Sequence, residues 1–263
     1  VNYRNHRKVA IVDGHTGFMG GMNIADRYVR GTSWGTWRDT HFRVEGKGVH
    51  GLQSAFLIDW YVVTRQLIKG KAYYPNEAFF GDNLMQILSG GPTGRWRVLL
   101  QAFIFCIANA KRYLYIQTPY FLPTEGLTQA LQTAALGGVD VRLMLPERSD
   151  TRSAHLASHS YLDDMLRAGV KVYFYRTGFL HSKLLLSDDE LACIGSANFD
   201  FRSFEHNFEI NAFVYHRPFA ERLRRMFMDD LRECIPVRAS EWARRPLHLR
   251  LIESFLRLFS PLL

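Results

Sequence analysis

The chain has 263 residues, 47% of them hydrophobic and 22% charged, a balance that excludes intrinsic disorder and leaves room for two domains with ample core. A net charge of +8 and a pI of 9.5 point to an anionic partner, either nucleic acid or an acidic membrane surface, and no apolar run reaches the roughly 18 residues needed to span a bilayer. Cys106, Cys193 and Cys234 are odd in number and widely spaced, which excludes a disulfide framework or zinc pattern and predicts reduced, buried thiols in a cytosolic setting.

In chain order, residues 9–12 are a short apolar strand closed by the turn signal Asp13-Gly14, and Phe18-Met19 leads into Gly20-Gly21-Met22-Asn23. This reads as a β-hairpin with His6 and Lys8 on its first strand, where alternate residues share a face and reach one point. Residues 37–44 are the next strand, and Trp34 and Trp37 either form a rim loop over a pocket or pack against the fold. Residues 49–66 have helical periodicity, and their stripe of Leu52, Phe56, Trp60 and Val63 is expected in the core. Residues 69–83 read as a linker.

Strands at 84–88, 113–117, 139–145 and 170–175 then alternate with helices at 95–110, 124–136 and 151–168. Thr124 is the expected N-cap and Gly137 the stop of the middle helix. Residues 118–123 form an aromatic loop whose Tyr120 and Phe121 are expected to shield a substrate from water. The alternation predicts an α/β fold, with a mixed, largely parallel sheet flanked by helices. A second hairpin carries His181 and Lys183 on residues 179–186, turns at Asp188-Asp189 and returns through 191–194. A strand at 207–215 and a helix at 218–233 follow. The tail, 239–263, mixes Leu, Ile and Phe with Arg, and suits either an interfacial helix on an anionic membrane or a helix packed across the fold.

The two hairpins are copies. His6 and His181, Lys8 and Lys183, Asp13 and Asp188, Gly20 and Gly195, and Asn23 and Asn198 all stand 175 residues apart. Asp39 matches Glu209 at a separation of 170, so the first copy carries five extra residues between Asn23 and Asp39. The chain is therefore read as a duplicated unit. Residues 84–238 are one complete unit, residues 1–83 the back part of another plus linker, and 239–263 a basic amphipathic tail. The missing front half of the first unit predicts that the chain is a fragment of a longer protein.

Two histidines and two lysines on paired hairpins suit phosphoryl transfer with no metal or cofactor. Lys8, Lys183, Asn23, Asn198 and Ser196 are expected to hold the non-bridging oxygens of a phosphodiester. One imidazole attacks phosphorus, while the other protonates the leaving oxygen and later deprotonates the acceptor. Each nucleophile or base needs a carboxylate to fix its tautomer. Asp39 and Glu209 are the candidates, each serving a histidine in its own copy or in the other. The motif set is His6, Lys8, Asp13, His181, Lys183 and Asp188. Within it Asp13 and Asp188, at hairpin turns, are read as bonding backbone amides. His155 and His159 are one helical turn apart but lack a third ligand. The other histidines have no repeat partner.

The doubled H-x-K-x-x-x-x-D with G-[GS]-x-N resembles the phospholipase D superfamily, whose duplicated α/β units meet at one site and work through a phosphohistidine. Within it the chain is similar to the bacterial cardiolipin synthases. The resembling pieces are Asn5-His6-Arg7-Lys8, Trp37-Arg38-Asp39, residues 117–123, His181-Ser182-Lys183, Gly195-Ser196-Ala197-Asn198, Arg202-Ser203 and residues 260–263. The resemblance implies joining of two phosphatidylglycerols into cardiolipin with release of glycerol, at the cytosolic side of the cytoplasmic membrane. It implies phosphatidylglycerol and anionic lipids as partners, with no nucleic acid and no cofactor. It also implies His6 as nucleophile and His181 as acid/base, an order the residues themselves leave open. The rivals are a phospholipase- or nuclease-type phosphodiesterase of the same fold, and an inactive membrane-binding fragment.

Overall fold

The computed structural model describes residues 3–76 and 81–263. β1 (Val9–Val12) and β2 (Thr16–Gly20) form the first hairpin, followed by β3 (Thr36–Arg38), β4 (His41–Glu45) and α1 (Gly48–Thr64). The alternating region holds β5 (Leu84–Gly90), α2 (Val98–Asn109), β6 (Tyr113–Gln117), β7 (Phe121–Leu122), α3 (Glu125–Leu136), β8 (Asp140–Pro146), α4 (Arg152–Arg167) and β9 (Lys171–Tyr175). Next come β10 (Gly178–Leu180), β11 (Leu184–Ser187), β12 (Leu191–Gly195), β13 (Phe199–Asp200), β14 (Glu209–Tyr215), α5 (Arg217–Arg232) and β15 (Cys234–Pro236). The tail is two helices, α6 (Ala239–Ala243) and α7 (Leu247–Arg257). Pro246 separates them, because proline has no N–H to continue a helical ladder.

The predicted α/β class is what forms. Eight strands make one mixed sheet in the order β15-β9-β8-β6-β11-β12-β14-β5. Pairing is parallel at β6–β8–β9 and antiparallel elsewhere. Alternation along the strands sends Leu185, Cys193 and Phe213 to one face, against α2, α3 and α4, and Leu184, Leu186 and Ile194 to the other, against Ala220, Leu223 and Phe227 of α5. Cys106 and Cys193 are buried free thiols, and burial pushes the Cys106 thiol up to about 12.

The first hairpin pairs with β4 in a separate three-stranded sheet. Its Met19 and Val44, with Val49 and Leu52 of α1, pack on Ile210, Ala212 and Val214 of β14. One apolar core thus joins the segments on either side of residues 69–83. Of that proposed linker, Lys71–Tyr73 forms a 3₁₀ turn, and residues 77–80 lie outside the described residues.

The α1 stripe is a correction. Leu52 is buried, but Phe56, Trp60 and Val63 are exposed. On α5, by contrast, Phe227 is fully buried and stacks on Tyr115 of β6 at 4.9 Å. Among the described residues no strand pairs with the free edge of β1 in the way β6 pairs with β11. The aromatic loop is a second correction: Phe121 and Leu122 pair with β13 and are buried in the main core, so Phe121 faces no substrate.

Candidate active site

Two short parallel pairings bring the halves together. β3 runs beside β10 in the register Gly178↔Thr36, Phe179↔Trp37, Leu180↔Arg38. The His181 N–H then donates to the Arg38 carbonyl at 2.7 Å. The next residue after Arg38 is Asp39, and its Oδ2 lies 2.7 Å from His181 Nδ1. The same device recurs at the other histidine. Asn5 bridges Phe208 in parallel, and the His6 N–H donates to the Phe208 carbonyl at 2.9 Å. The following residue, Glu209, places Oε1 2.9 Å from His6 Nδ1. Each histidine is therefore served by the acid of the other copy.

This corrects the strand assignment. His6 and Lys8 precede β1, and His181–Lys183 lie between β10 and β11. The histidines sit where a strand pairing ends, so the motif side chains turn away from the sheet toward the partner's carboxylate. Residues 37–44 are likewise two strands, broken at Asp39 and Thr40. Thr40 Oγ1 and Ser182 Oγ, 2.7 Å apart, stitch this break to the opposite one.

The small residues of the G-[GS]-x-N segments make room for these acids. A side chain on Gly20 would collide with the Thr40 carbonyl and His41, and one on Gly195 with the Ile210 carbonyl and Asn211, the same contacts one repeat apart. At the next position a Cβ on Gly21 would enter the Asp39 carboxylate. Its counterpart Ser196 instead donates its hydroxyl to Glu209 Oε2 at 2.5 Å, and Asn207 Nδ2 donates to Oε1 at 3.2 Å.

Charge is concentrated and poorly solvated here. Lys183 is buried, with Nζ 3.0 Å from His181 Nδ1 and donating to the His181 carbonyl at 2.5 Å. Lys8 donates to the His6 carbonyl at 2.6 Å. Burial lowers both lysines to about 8, against the pull of Asp39 and Glu209. Burial raises Asp39 to about 6, opposed by Lys183 and the Thr40 N–H. His181 is held well below the usual imidazole range, first by burial and then by the charges of Lys183, Lys8, His6 and Arg27. That Lys8 feels both carboxylates, and His181 feels His6, places the two motifs in one electrostatic site.

The remaining predicted residues separate from this centre in different ways. Asp188 does not join it. Its carboxylate accepts the backbone N–H groups of Lys111, Arg112 and Tyr113 at the far end of the β11–β12 hairpin. Asp13 occupies the equivalent turn, and both aspartates have positive φ, 53° and 58°, as a tight hairpin turn requires. Ser196 turns its hydroxyl to Glu209. Asn198 donates Nδ2 to Asp200 at 3.0 Å, leaving Oδ1 buried and without a partner. Asn23 Nδ2 is 3.5 Å from Tyr28 Oη. His155 and His159 have ring centroids 4.2 Å apart with their planes tilted, and His159 stands edge-on to Trp242.

Several participants escaped the sequence reading. Tyr28 Oη lies 3.0 Å from His181 Nδ1, and Trp37 packs its ring 5.0 Å from the same imidazole. Tyr28 belongs to the longer segment between Asn23 and Asp39, and that extra length was its only signal. Arg38 makes a two-pronged pair with Asp230 of α5 at 2.9 and 2.8 Å, and Gln117 of β6 donates to the same carboxylate at 2.8 Å. This network pins β3, and so Asp39, to the eight-stranded sheet.

With the geometry in place, the similarities to known proteins are specific. A family profile described as the phospholipase D-like domain of cardiolipin synthase matches residues 103–231. Cardiolipin synthase 2 of Bacillus cereus is 44% identical over all of this chain, which covers 52% of that protein. The major cardiolipin synthase of Bacillus subtilis is 42% identical, with 100% of this chain and 55% of that protein covered. The chain thus spans about half the length of the curated relatives it matches. Among solved structures, phosphatidylserine synthase of Haemophilus influenzae shares the fold with a TM-score of 0.74 at 14% identity, covering 99% of this chain and 71% of that one.

Proposed function

Because the chain belongs to the phospholipase D superfamily, in its cardiolipin synthase branch, we propose that the protein carrying it is a phosphatidyltransferase. It joins two phosphatidylglycerols into cardiolipin and releases glycerol. The observation that carries this reading is the crossed pairing of His6 with Glu209 and His181 with Asp39, beside Lys8 and Lys183. On this reading residues 1–83 and 84–238 are two units that share one site, with 239–263 appended.

A carboxylate on Nδ1 holds the attacking imidazole in the tautomer whose Nε2 lone pair is free, and holds the second as an imidazolium whose Nε2–H is available to the leaving oxygen. One Nε2 attacks the phosphorus of the first phosphatidylglycerol. The bond from phosphorus to the glycerol oxygen breaks, and the second imidazole gives that oxygen its proton. Glycerol leaves behind a phosphatidyl-histidine. The terminal hydroxyl of the second phosphatidylglycerol then yields its proton to the second imidazole and attacks phosphorus, and the phosphorus–nitrogen bond breaks. Lys8 and Lys183 neutralise the charge that grows on the phosphoryl oxygens.

The family pattern makes His6 the nucleophile. Burial and the neighbouring cations hold His181 below the usual imidazole range, while the Asp39 carboxylate at 2.7 Å favours its protonated form, so the order is left to experiment. A denaturing alkaline quench of a turnover with phosphorus-labelled lipid, which preserves the acid-labile phosphorus–nitrogen bond, followed by peptide mapping at alkaline pH, assigns the label to one histidine.

The overall reading is tested with the full-length protein and phosphatidylglycerol labelled in its headgroup. Equimolar glycerol and cardiolipin are expected. Phosphatidic acid as the sole lipid product would make the protein a hydrolase, and cleavage of DNA in place of lipid would sink the lipid reading. His181→Ala is expected to abolish turnover.

A further inference from the structure

The tail helix α7 is set on the fold the wrong way round for a soluble surface helix. Such a helix turns its apolar stripe inward and its polar residues outward. In α7 the buried side includes Glu253, whose carboxylate pairs with Arg245 at 2.6 Å and lies 3.6 Å from His159 of α4. Just beyond it Ser260 accepts a hydrogen bond from Tyr161 at 3.0 Å. Arg257 lies over the Tyr161 ring and reaches Asp164 at 3.4 Å. Leu256 and Leu263 pack on the main core beside these contacts. Together they fix the rotation of the helix about its axis.

The face turned away is apolar. Leu247, Leu251, Phe255, Leu258 and Leu262 recur at intervals of three and four and are between 60% and 75% exposed. Leu247, Leu251 and Phe255 fall within an arc of about 80° at 100° per residue, and Leu258 and Leu262 lie in the turns that follow the helix. Arg250, half-buried, borders this stripe, and Arg244 is exposed just before the helix. The one acid between residues 244 and 263 is Glu253, and it points inward. Among the described residues nothing covers the stripe, and no helix is long and apolar enough to cross a membrane.

We propose that α7 is an interfacial anchor that lays its leucine–phenylalanine face into the headgroup region of an anionic phospholipid bilayer. Apolar side chains of this size gain by leaving water, and flanking arginines gain from the negative potential of the surface. The charge pattern decides between occupants. A second copy docked face to face would oppose arginine to arginine, whereas an anionic lipid surface complements every charge the outer side carries. The inference stands on α7 and not on the chemistry of the histidines.

The test uses the 263-residue chain in vesicle flotation, with vesicles of phosphatidylglycerol and phosphatidylethanolamine, and with phosphatidylcholine alone. Binding to the anionic vesicles is expected, weakened by salt, with little to the neutral ones. The double variant L251E/F255E is expected to lower the bound fraction about tenfold while its circular dichroism and thermal unfolding stay those of the parent. His181→Ala is expected to float like the parent, which separates this result from any failure of the proposed activity. No flotation of the parent chain, or undiminished flotation of the folded double variant, would overturn the proposal. So would a concentration-dependent dimer, seen by light scattering and lost in the double variant, in a chain that ignores vesicles.

Discussion

Asp39 Oδ2 lies 2.7 Å from His181 Nδ1, across 142 residues of sequence and from the opposite copy of the repeat. The mirror-image relation holds between Glu209 and His6. Neither half of the chain then contains a finished histidine–carboxylate pair. An amide at Asp39 keeps the shape but loses the charge and can present an N–H to Nδ1, which favours the wrong tautomer. Asp39→Asn in the full-length protein is expected to lower kcat by about 10³-fold with KM nearly unchanged. Glu209→Gln is expected to behave alike. Cardiolipin formation within tenfold of the parent in both variants would refute the crossed arrangement.

The same groups set the pH dependence. The carboxylate form of Asp39 is the working one, and its pKa of about 6 means that protonation removes it as pH falls through that value. In the proposed mechanism the cationic forms of Lys8 and Lys183 hold phosphate, and with pKa values of about 8 they lose charge as pH rises through that value. A bell-shaped profile of kcat/KM is therefore expected, with its plateau between these limits. Bound phosphodiester raises the lysines, so the alkaline limb in kcat lies higher than in kcat/KM. A profile flat across both limits would show that neither group titrates in the working enzyme.

Gly21 and Ser196 occupy equivalent positions and act oppositely on their acids. Gly21→Ala drives a methyl group into the Asp39 carboxylate. That carboxylate is already fixed by the Thr40 N–H at 2.7 Å and by His181. A displaced Asp39 is expected to cost about 10²-fold in kcat, because small misplacements of catalytic groups are expensive. Ser196→Ala removes one of the hydrogen bonds that orient Glu209, and about a tenfold loss is expected. Thermal melts within a few degrees of the parent would show that both losses are local. Equal activity of Gly21→Ala and the parent would mean that Asp39 is free to move.

Much of this arrangement was legible in the sequence, because a repeat with a constant offset is a statement about symmetry. His6, Lys8, His181 and Lys183 stood out by the shared spacing, and Asp39 and Glu209 by their matched positions after it. Which acid meets which histidine was not legible. That depends on β3 pairing with β10 and Asn5 pairing with Phe208, contacts that join residues far apart in the chain. Asp230 gave no signal, since a carboxylate on an Arg-rich helix reads as a solvated charge until Arg38 and Gln117 are seen converging on it. The α1 stripe misled for the opposite reason: periodicity shows that a face is apolar, not that this chain covers it. The exposed stripe of α7 follows the same logic.

Asp188 belongs to the motif by spacing yet performs a structural task, and stability measurements separate the two. Burial alone would raise its pKa, but the N–H groups of Tyr113, Lys111 and Arg112 outweigh that and hold it below the usual carboxylate range. A carboxyl group whose folded pKa is depressed stabilises the fold above its unfolded value, and the stabilisation disappears as pH falls through the folded value. Asp188→Ala leaves three N–H groups without their acceptor, at a cost of about 3 kcal/mol near neutral pH. Urea unfolding is expected to show that difference at pH 7 and a progressively smaller one as the pH falls below about 4. Turnover per folded molecule should remain within about twofold of the parent, since Asp188 bonds the start of β6 and not the histidines. A collapse of kcat at undiminished stability would instead return Asp188 to the catalytic set.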